Sequence, residues 1–202
     1  MNAWRTHLLG DQALLLDCSA GADARLLARS LDQHAGIIDL IPAPGTLTII
    51  YDPAVLEPDA ILLLLDQAHS QPPPAPALHR IPVLYDGADL AEVAARCALS
   101  PARLIELHTS TRHTVAMIGF LPGFPYLDGL PARLHLPRRP TPRTKVPAGS
   151  VAIANGQTGI YPQASPGGWH LLGRTDVRLF DPARQPPALL QPGDYVEFEA
   201  VG

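Results

Sequence analysis

Residues 142–175 read PRTKVPAGSVAIANGQTGIYPQASPGGWHLLGRT, and this stretch decides how the second half of the chain is expected to fold. Its apolar runs are short, and each is bounded by Pro, Gly or an Asn-Gly pair, which interrupt helices and form turns. Many short strands without intervening helices are typical of a barrel or a sandwich. Together with similar runs elsewhere, the pattern predicts strands over residues 114–120, 151–154, 158–161, 170–173 and 194–199.

The same region concentrates positive charge. Between Asp128 and Asp176 the chain has no acidic residue, although its formal net charge is −4. Lys145, the only lysine among 202 residues, lies in this interval. Clustered cations on a concave surface raise the local concentration of anions, so we expect a carboxylate or a phosphate to bind here. A solvated, arginine-rich face is the alternative. The cations of the interval are Arg133, Arg138, Arg139, Arg143, Lys145 and Arg174.

Composition excludes several classes of protein. Hydrophobic residues make up 47% and charged residues 17% of the chain, which is typical of globular proteins. The pI near 6 and the lack of aromatics interleaved with the cations argue against nucleic-acid binding. Cys18 and Cys97 form no CxxC pattern, so neither a zinc site nor any other metal site is predicted. Because the start has no signal-like segment and no apolar run reaches about 18 residues, we expect a cytoplasmic protein without a membrane span.

A proline-rich segment, QPPPAP at residues 71–76, divides the chain because it can continue neither a helix nor a central strand. We predict an α+β fold with an N-terminal domain over residues 1–71, a linker over 72–78 and a second domain over 79–202. In the first domain, strands are expected over 13–17, 37–41 and 46–51, and helices over 23–34 and 58–69. The second should begin with a strand over 80–85 and helices over 89–97 and 101–108, the latter capped by Ser100.

Self-sufficient catalytic motifs are missing, because the sequence has no GxSxG elbow, no phosphate-binding P-loop and no HExxH helix. Three turn-rich motifs remain, at residues 119–126, 142–150 and 157–175. Their glycines allow close backbone approach, and their aromatic side chains can wall a pocket. The structural alternatives are a tight corner whose rings plug a barrel end, a solvent-facing edge strand, and a hairpin that needs glycine.

Three segments carry a family resemblance: GFLPGFPYLDGL (119–130), PRTKVPAGSVAIANGQTGIYP (142–162) and SPGGWHLLGRT (165–175). In this order they resemble the family formed by the B subunits of 5-oxoprolinase, also called allophanate hydrolase subunit 1, which includes a bacterial sporulation-kinase inhibitor. The resemblance extends to LGDQALLLD near the start and LQPGDYVEF near the end. It therefore covers nearly the whole chain.

The resemblance implies a small N-terminal α+β domain followed by a cyclophilin-like β-barrel. It also implies a larger partner subunit with a related barrel, a composite site between the two, and a third subunit. In such an enzyme ATP, with Mg²⁺, drives ring opening of 5-oxoproline, a small anionic amide, to L-glutamate. Two alternatives stay open: a subunit acting on allophanate, and a non-enzymatic inhibitor of a sensor histidine kinase.

Site residues are assigned on the chemistry that such a reaction needs. Arg143, Lys145 and Arg174 are the candidates for stabilising negative charge on reacting oxygens. His108 and His170 are candidate proton carriers, for which packing roles are the alternative. The backbone amides at Gly167 and Gly168 can form an anion nest. The remaining substrate-binding candidates are Gln157, Tyr161 and Ser165, which could orient the substrate, and Phe120, Phe124, Tyr126 and Trp169, which could exclude water.

Overall fold

A computed structural model describes residues 4–18, 23–32, 34–43, 45–70 and 75–202. The chain divides into two compact units, Met1–Ala75 and Pro76–Gly202. The predicted proline-rich linker over residues 72–78 lies in part, over residues 72–74, outside the described residues. None of the helices in the described ranges combines the length and the apolar character that a membrane span requires.

The first unit is a four-stranded antiparallel sheet with two helices. Its strands lie in the order Arg5–Leu8 (β1), Ala13–Asp17 (β2), Thr46–Tyr51 (β4) and Ile37–Ala43 (β3). Its predicted strands and helices are confirmed. Buried and half-buried positions alternate along β4, which is the pattern on which its prediction as a strand rested. Strand β1 was not predicted, because RTHL has no apolar alternation and becomes a strand through its pairing with β2. The elements are β1 (Arg5–Leu8), β2 (Ala13–Asp17), α1 (Ala24–Leu31), β3 (Ile37–Ala43), β4 (Thr46–Tyr51) and α2 (Pro58–Ser70).

The core of the first unit lies between the sheet and the helices. Leu16 and Leu47 from the sheet are fully buried, as are Ile61 and Leu65 from α2. Each such side chain contributes roughly 1.5–3 kcal/mol through removal of apolar surface from water. Helix α1 begins at a capping residue, Asp23, whose carboxylate accepts a hydrogen bond from the Arg25 amide.

The second unit contains two helices followed mainly by short strands. Ser100 caps α4 through a 3.2 Å hydrogen bond from the Arg103 amide, and Pro101 occupies the first turn, as predicted. Strands β7 and β11 were not predicted, and β8 was foreseen only as the edge-strand alternative for residues 142–150, because each is short and contains or borders proline. The elements are β5 (Leu78–Val83), α3 (Leu90–Arg96), α4 (Pro101–Thr109), β6 (His113–Ile118), β7 (Pro125–Asp128), β8 (Arg143–Val146), β9 (Ser150–Ala154), β10 (Gln157–Ile160), β11 (Ser165–Gly167), β12 (His170–Arg174) and β13 (Tyr195–Ala200).

Seven of these strands form one sheet in the order β12-β9-β10-β7-β6-β13-β5. The two ends of this sheet meet, because Leu84, just after β5, and Arg174, at the end of β12, exchange two 2.9 Å backbone hydrogen bonds. The sheet is therefore a nearly closed barrel, and the predicted α+β fold with a barrel domain is confirmed. Strands β8 and β11 form a separate two-stranded ribbon.

Gly87 lies against the barrel wall, and its replacement by Ala is expected to destabilise the second unit. The Gly87 amide donates a 3.0 Å hydrogen bond to the Leu172 carbonyl, and an added Cβ would overlap the backbone of Leu171 and Leu172. We expect G87A to lower the free energy of unfolding by about 1–3 kcal/mol in urea denaturation. Gly168→Ala is the matched control, since its Cβ would meet only ordinary contacts at 3.7 Å and should change stability by less than about 0.5 kcal/mol. Equal effects of the two variants would contradict this prediction.

Candidate functional site

An aromatic cluster fills one part of the second unit, and Phe124 lies at its centre. The Phe124 ring centroid is 5.0 Å from that of Tyr126, 5.1 Å from that of Tyr161 and 5.7 Å from that of Trp169. Gly159 on β10 makes room for them, since a Cβ there would lie 3.1 Å from both the Phe124 and the Trp169 rings. Four of the predicted substrate-binding residues therefore come together.

Most of this aromatic cluster is buried rather than open to a ligand. Phe124 and Tyr161 are 1% exposed and Trp169 is 5% exposed, whereas Tyr126 is half-buried. The rings therefore provide a rigid apolar floor, with Tyr126 at its surface. This arrangement resembles the alternative in which the rings plug a barrel end.

The β8–β11 ribbon packs on the same floor. Val146 of β8 is fully buried within the cluster that contains Phe124 and Trp169. Gly167 of β11 lies opposite Arg143 of β8 in the ribbon. Gly167 also lies against the Tyr161 hydroxyl, which a Cβ at this position would overlap. Glycine is required here because the ribbon backbone approaches the ring so closely.

Arg143 is held by a buried carboxylate that the sequence analysis did not identify. Asp89, which is 3% exposed, accepts a 2.6 Å hydrogen bond from Arg143 Nη2 and a 2.9 Å hydrogen bond from Arg139 Nη1 through its Oδ1 atom. Its Oδ2 atom accepts a 2.7 Å hydrogen bond from the Leu171 amide. Burial acts to raise the pKa of the Asp89 carboxyl, but the hydrogen bonds from Arg143 and Leu171 and the charge of Arg139 outweigh it and lower the pKa. Asp89 is therefore ionised at neutral pH.

Positive charge exceeds negative charge in this cluster. Asp89 faces two guanidinium groups. Glu92 lies 3.6 Å from Arg139 Nη1, but it is about half exposed, so solvent screens its attraction to Arg139. Arg139 Nε and Arg143 Nη1 are buried and have no hydrogen-bond partner among the described residues. An incompletely neutralised pair of cations in a partly dry setting favours a bound anion nearby.

A further cation, Arg138, acts on the Tyr161 hydroxyl in this region. Burial raises the pKa of the Tyr161 hydroxyl, while the Trp169 backbone and the charges of Arg138 and Arg143 act in the opposite direction. Arg138 is exposed, and Arg143 keeps 24% of its side chain exposed. Arg138 and Arg143 therefore both place positive charge here, and the site fits a carboxylate or phosphoryl group by charge.

Two predicted residues position the segment that carries Arg138 and Arg139. The Gly168 carbonyl accepts a 2.8 Å hydrogen bond from the Arg139 amide. His170, which is fully buried, donates from Nε2 to the Pro137 carbonyl at 3.0 Å. His170 is therefore placed to support the loop, and its burial separates its ring from solvent.

The other predicted residues of this region have different surroundings. Lys145 on β8 is exposed, and Ser165 on β11 is 8% exposed and donates to the Pro166 carbonyl at 3.3 Å. Arg174 donates to Asp86 Oδ2 at 2.9 Å near the barrel closure, with 60% of its side chain exposed. Gln157 donates to Asp128 Oδ1 at 2.9 Å. No contact in the described part of the chain brings Arg174 or Gln157 to Arg143.

His108 is fully buried in a different part of the unit. The Thr158 hydroxyl donates to the Ala152 carbonyl at 3.0 Å, so it accepts from His108 Nε2 at 2.9 Å. The Tyr85 hydroxyl then donates to His108 Nδ1 at 2.7 Å. The imidazole also stacks on Phe198, with 4.6 Å between ring centroids. This position favours a hydrogen-bonding role in the core over the predicted role in proton transfer.

Acid should destabilise the protein through His108 and its neighbour His113. Burial lowers the pKa of His108 well below its ordinary value, and burial also lowers that of His113. The unfolded state therefore takes up protons below about pH 6.5 that the folded state does not, so stability present above this pH is lost as pH falls. We expect up to about 1.4 kcal/mol of loss per pH unit for each histidine, measured by urea denaturation between pH 7.5 and 5.5. His108→Gln should reduce this slope, and an unchanged slope would contradict the assignment.

A shallow groove of about 560 Å³ lies elsewhere on the second unit. It contains none of the predicted site residues, and an ion pair between Arg112 and Glu197, at 3.0 Å, spans part of its lining. The described residues include no group of three or more His, Cys, Asp or Glu arranged to hold a metal ion. The groove lining consists of Arg80, Thr109, Ser110, Thr111, Arg112, Glu197, Phe198 and Glu199.

Comparison with known proteins identifies the family. A profile described as "Carboxyltransferase domain, subdomain C and D" matches residues 4–190. The chain belongs to this carboxyltransferase subdomain C and D family. It is 44% identical over 211 aligned residues to the B subunit of 5-oxoprolinase from Escherichia coli O157:H7, covering 98% of this chain and 96% of that protein. The resemblance found in the sequence motifs is thereby confirmed.

Two solved structures share the fold of this chain. The crystal structure of TTHA0988 superposes with a TM-score of 0.85 at 42% identity, covering 95% of this chain and 40% of that one, so the chain spans about two fifths of TTHA0988. The Kluyveromyces lactis urea carboxylase superposes with a TM-score of 0.65 at 19% identity, covering 98% of this chain and 22% of that one. This second likeness shows the fold alone.

Proposed function

We propose that this chain is a subunit of an ATP-dependent 5-oxoprolinase, which opens the ring of 5-oxoproline with water to give L-glutamate. The observation that carries the proposal is 44% identity to the B subunit of a 5-oxoprolinase over almost the full length of both proteins. The site described above supports it, because 5-oxoproline carries a carboxylate and the site offers Arg138 and Arg143 beside an apolar floor.

The chain's own contribution is binding and charge stabilisation. Arg143 is preorganised by Asp89, so it can stabilise an oxyanion without first being ordered. The half-buried backbone of Gly167 lies opposite it in the ribbon, and the half-buried Tyr126 lies on the aromatic floor; both can orient a small ring. ATP would supply the phosphoryl group that activates the amide, and the cationic site fits such a group by charge.

The remaining chemistry is assigned to other subunits. We propose a cytoplasmic assembly with a larger subunit that has a related barrel and with a third subunit, each contributing groups to the reaction. Among the described residues, the side chains that hydrogen-bond to Asp89 are both guanidinium groups, and His170 and Tyr161 nearby are buried. A partner is therefore needed to complete the site.

The deciding experiment is reconstitution of this chain with the other 5-oxoprolinase subunits of its source organism. ADP and L-glutamate should form in equal amounts from 5-oxoproline and ATP, and only when this chain is present. A complete assembly that turns over allophanate but not 5-oxoproline would redirect the assignment to the allophanate-type alternative. An assembly that is silent toward both, with inhibition of a sensor histidine kinase by this chain, would replace the enzymatic proposal.

A further inference from the structure

Phe120 combines two unusual properties. Its side chain is 60% exposed, although most large hydrophobic side chains of the second unit are buried. Its backbone φ of 68° lies in the left-handed region, which bulky residues rarely adopt. Phe120 belongs to the turn that joins β6 to β7, beside the aromatic floor of the candidate site.

Backbone hydrogen bonds order the turn on both sides of Phe120, and its ring rests on Phe124. The Gly119 amide donates to the Phe124 carbonyl at 3.1 Å, and the Phe124 amide donates to the Leu121 carbonyl at 3.0 Å. Gly123 packs tightly on Phe180, whose Cβ would be 2.8 Å from an added Cβ. The Phe120 ring meets Phe124 edge-on, with 5.5 Å between centroids, and leaves most of its surface to solvent.

A rigid, exposed aromatic ring is suited to binding another protein. Aromatic anchors dominate binding energy at interfaces, and a ring ordered in advance loses little conformational entropy on association. The sequence predicted that Phe120 would line a substrate pocket and exclude water. Its 60% exposure makes it poorly suited to that role. The ring touches the floor at Phe124 and leaves most of its surface open to solvent.

The charge of the neighbourhood defines the chemistry of the occupant. The floor that supports Phe120 also supports the β8–β11 ribbon, which carries Arg143 and the exposed Lys145. The chain has no acidic residue between Asp128 and Asp176. A complementary surface would therefore provide an apolar socket bordered by carboxylates.

We propose that Phe120 is the anchor by which another subunit of the same enzyme docks beside the candidate site. The occupant is a protein surface with an apolar socket and an acidic rim. This inference rests on the proposed function for the existence of that subunit. Docking at Phe120 would place the partner on the aromatic floor that also supports the ribbon of Arg143.

The test measures affinity between the full-length chain and the purified other subunits of the enzyme, by calorimetry without 5-oxoproline or ATP. Phe120→Gly removes the ring and suits the left-handed backbone, so folding is spared. We expect F120G to weaken association by at least about tenfold, and F120W to retain affinity within about threefold. Val55→Ala is the control, since Val55 is also 60% exposed but lies in the first unit. Wild-type affinity should also fall as salt is raised.

Several results would overturn the anchor. Unchanged affinity of F120G, or an equal loss in V55A, would show that Phe120 is not a specific contact. Unchanged affinity with a raised KM for 5-oxoproline would return Phe120 to the substrate pocket. Self-association of the wild-type chain that F120G abolishes, with unchanged affinity for the other subunits, would make the occupant a second copy. An assembly that depends on Phe120 but does not turn over 5-oxoproline would refute the proposed function alone.

Discussion

Replacing Arg143 with Ala should lower 5-oxoproline-dependent ADP release by the reconstituted assembly by about 100- to 1,000-fold, the usual effect of removing one preorganised oxyanion donor. The guanidinium is held by Asp89 at 2.6 Å, and its buried Nη1 atom has no hydrogen-bond partner among the described residues, so the group is fixed and keeps a donor for an anion. Its charge is worth more here than on an open surface, because most of the side chain is shielded from water. The measurement is the steady-state rate of R143A and wild-type assemblies at saturating ATP.

Two further variants separate catalysis from general effects of charge. Arg143→Lys keeps the charge but loses the planar guanidinium, whose N–H groups can bind Asp89 and an oxyanion at the same time. The rate of the R143K assembly should therefore lie between those of wild type and R143A. Arg178→Ala removes an equal charge from a side chain that is 71% exposed and paired with Asp181, and should leave the rate unchanged. Full turnover by R143A in a correctly assembled complex would remove Arg143 from the mechanism.

The fold was predicted from local sequence patterns. Ser100 followed by Pro101 specifies a helix start within a few residues, and the alternation along β4 specifies a buried strand face. Strand β11 contains Pro and Gly and acquires its form by pairing with β8, so its own sequence does not indicate a strand. Barrel closure at Leu84 and Arg174 depends on a contact between residues far apart in the chain.

The candidate site was predicted only in part, because local sequence patterns do not show which distant residues meet. Its aromatic residues and Arg143 lie in turn-rich motifs whose composition is visible in the sequence. Asp89 lies at the start of α3, where an Asp is normally interpreted as a helix cap, yet its side chain makes no capping hydrogen bond. Its partner Arg143 is 54 residues away. The one available signal was the acid-free interval itself, whose cations required a counter-charge from elsewhere in the chain.

Replacing Asp89 with Asn should lower the free energy of unfolding by about 3–5 kcal/mol, because it leaves two partly buried arginines without their anion. The carboxylate also fixes the Leu171 amide of β12, so the change disturbs both the barrel and the ribbon. Chemical denaturation of D89N and wild type at pH 7 measures the difference. Glu92→Gln is the matched control: Glu92 follows on α3, approaches Arg139 only at 3.6 Å and is half exposed, so its loss should cost less than about 1 kcal/mol.

The pH dependence distinguishes lost charge from altered packing in D89N. The folded state lowers the pKa of Asp89, so the carboxylate contributes stability in full above the unfolded pKa of about 3.9 and loses it as pH falls toward the folded pKa. The gap between wild type and D89N should therefore be widest at neutral pH and should narrow below about pH 4. A gap that stays constant with pH would assign the loss to packing. The charge of Asp89 would then not be what holds Arg139 and Arg143 in place.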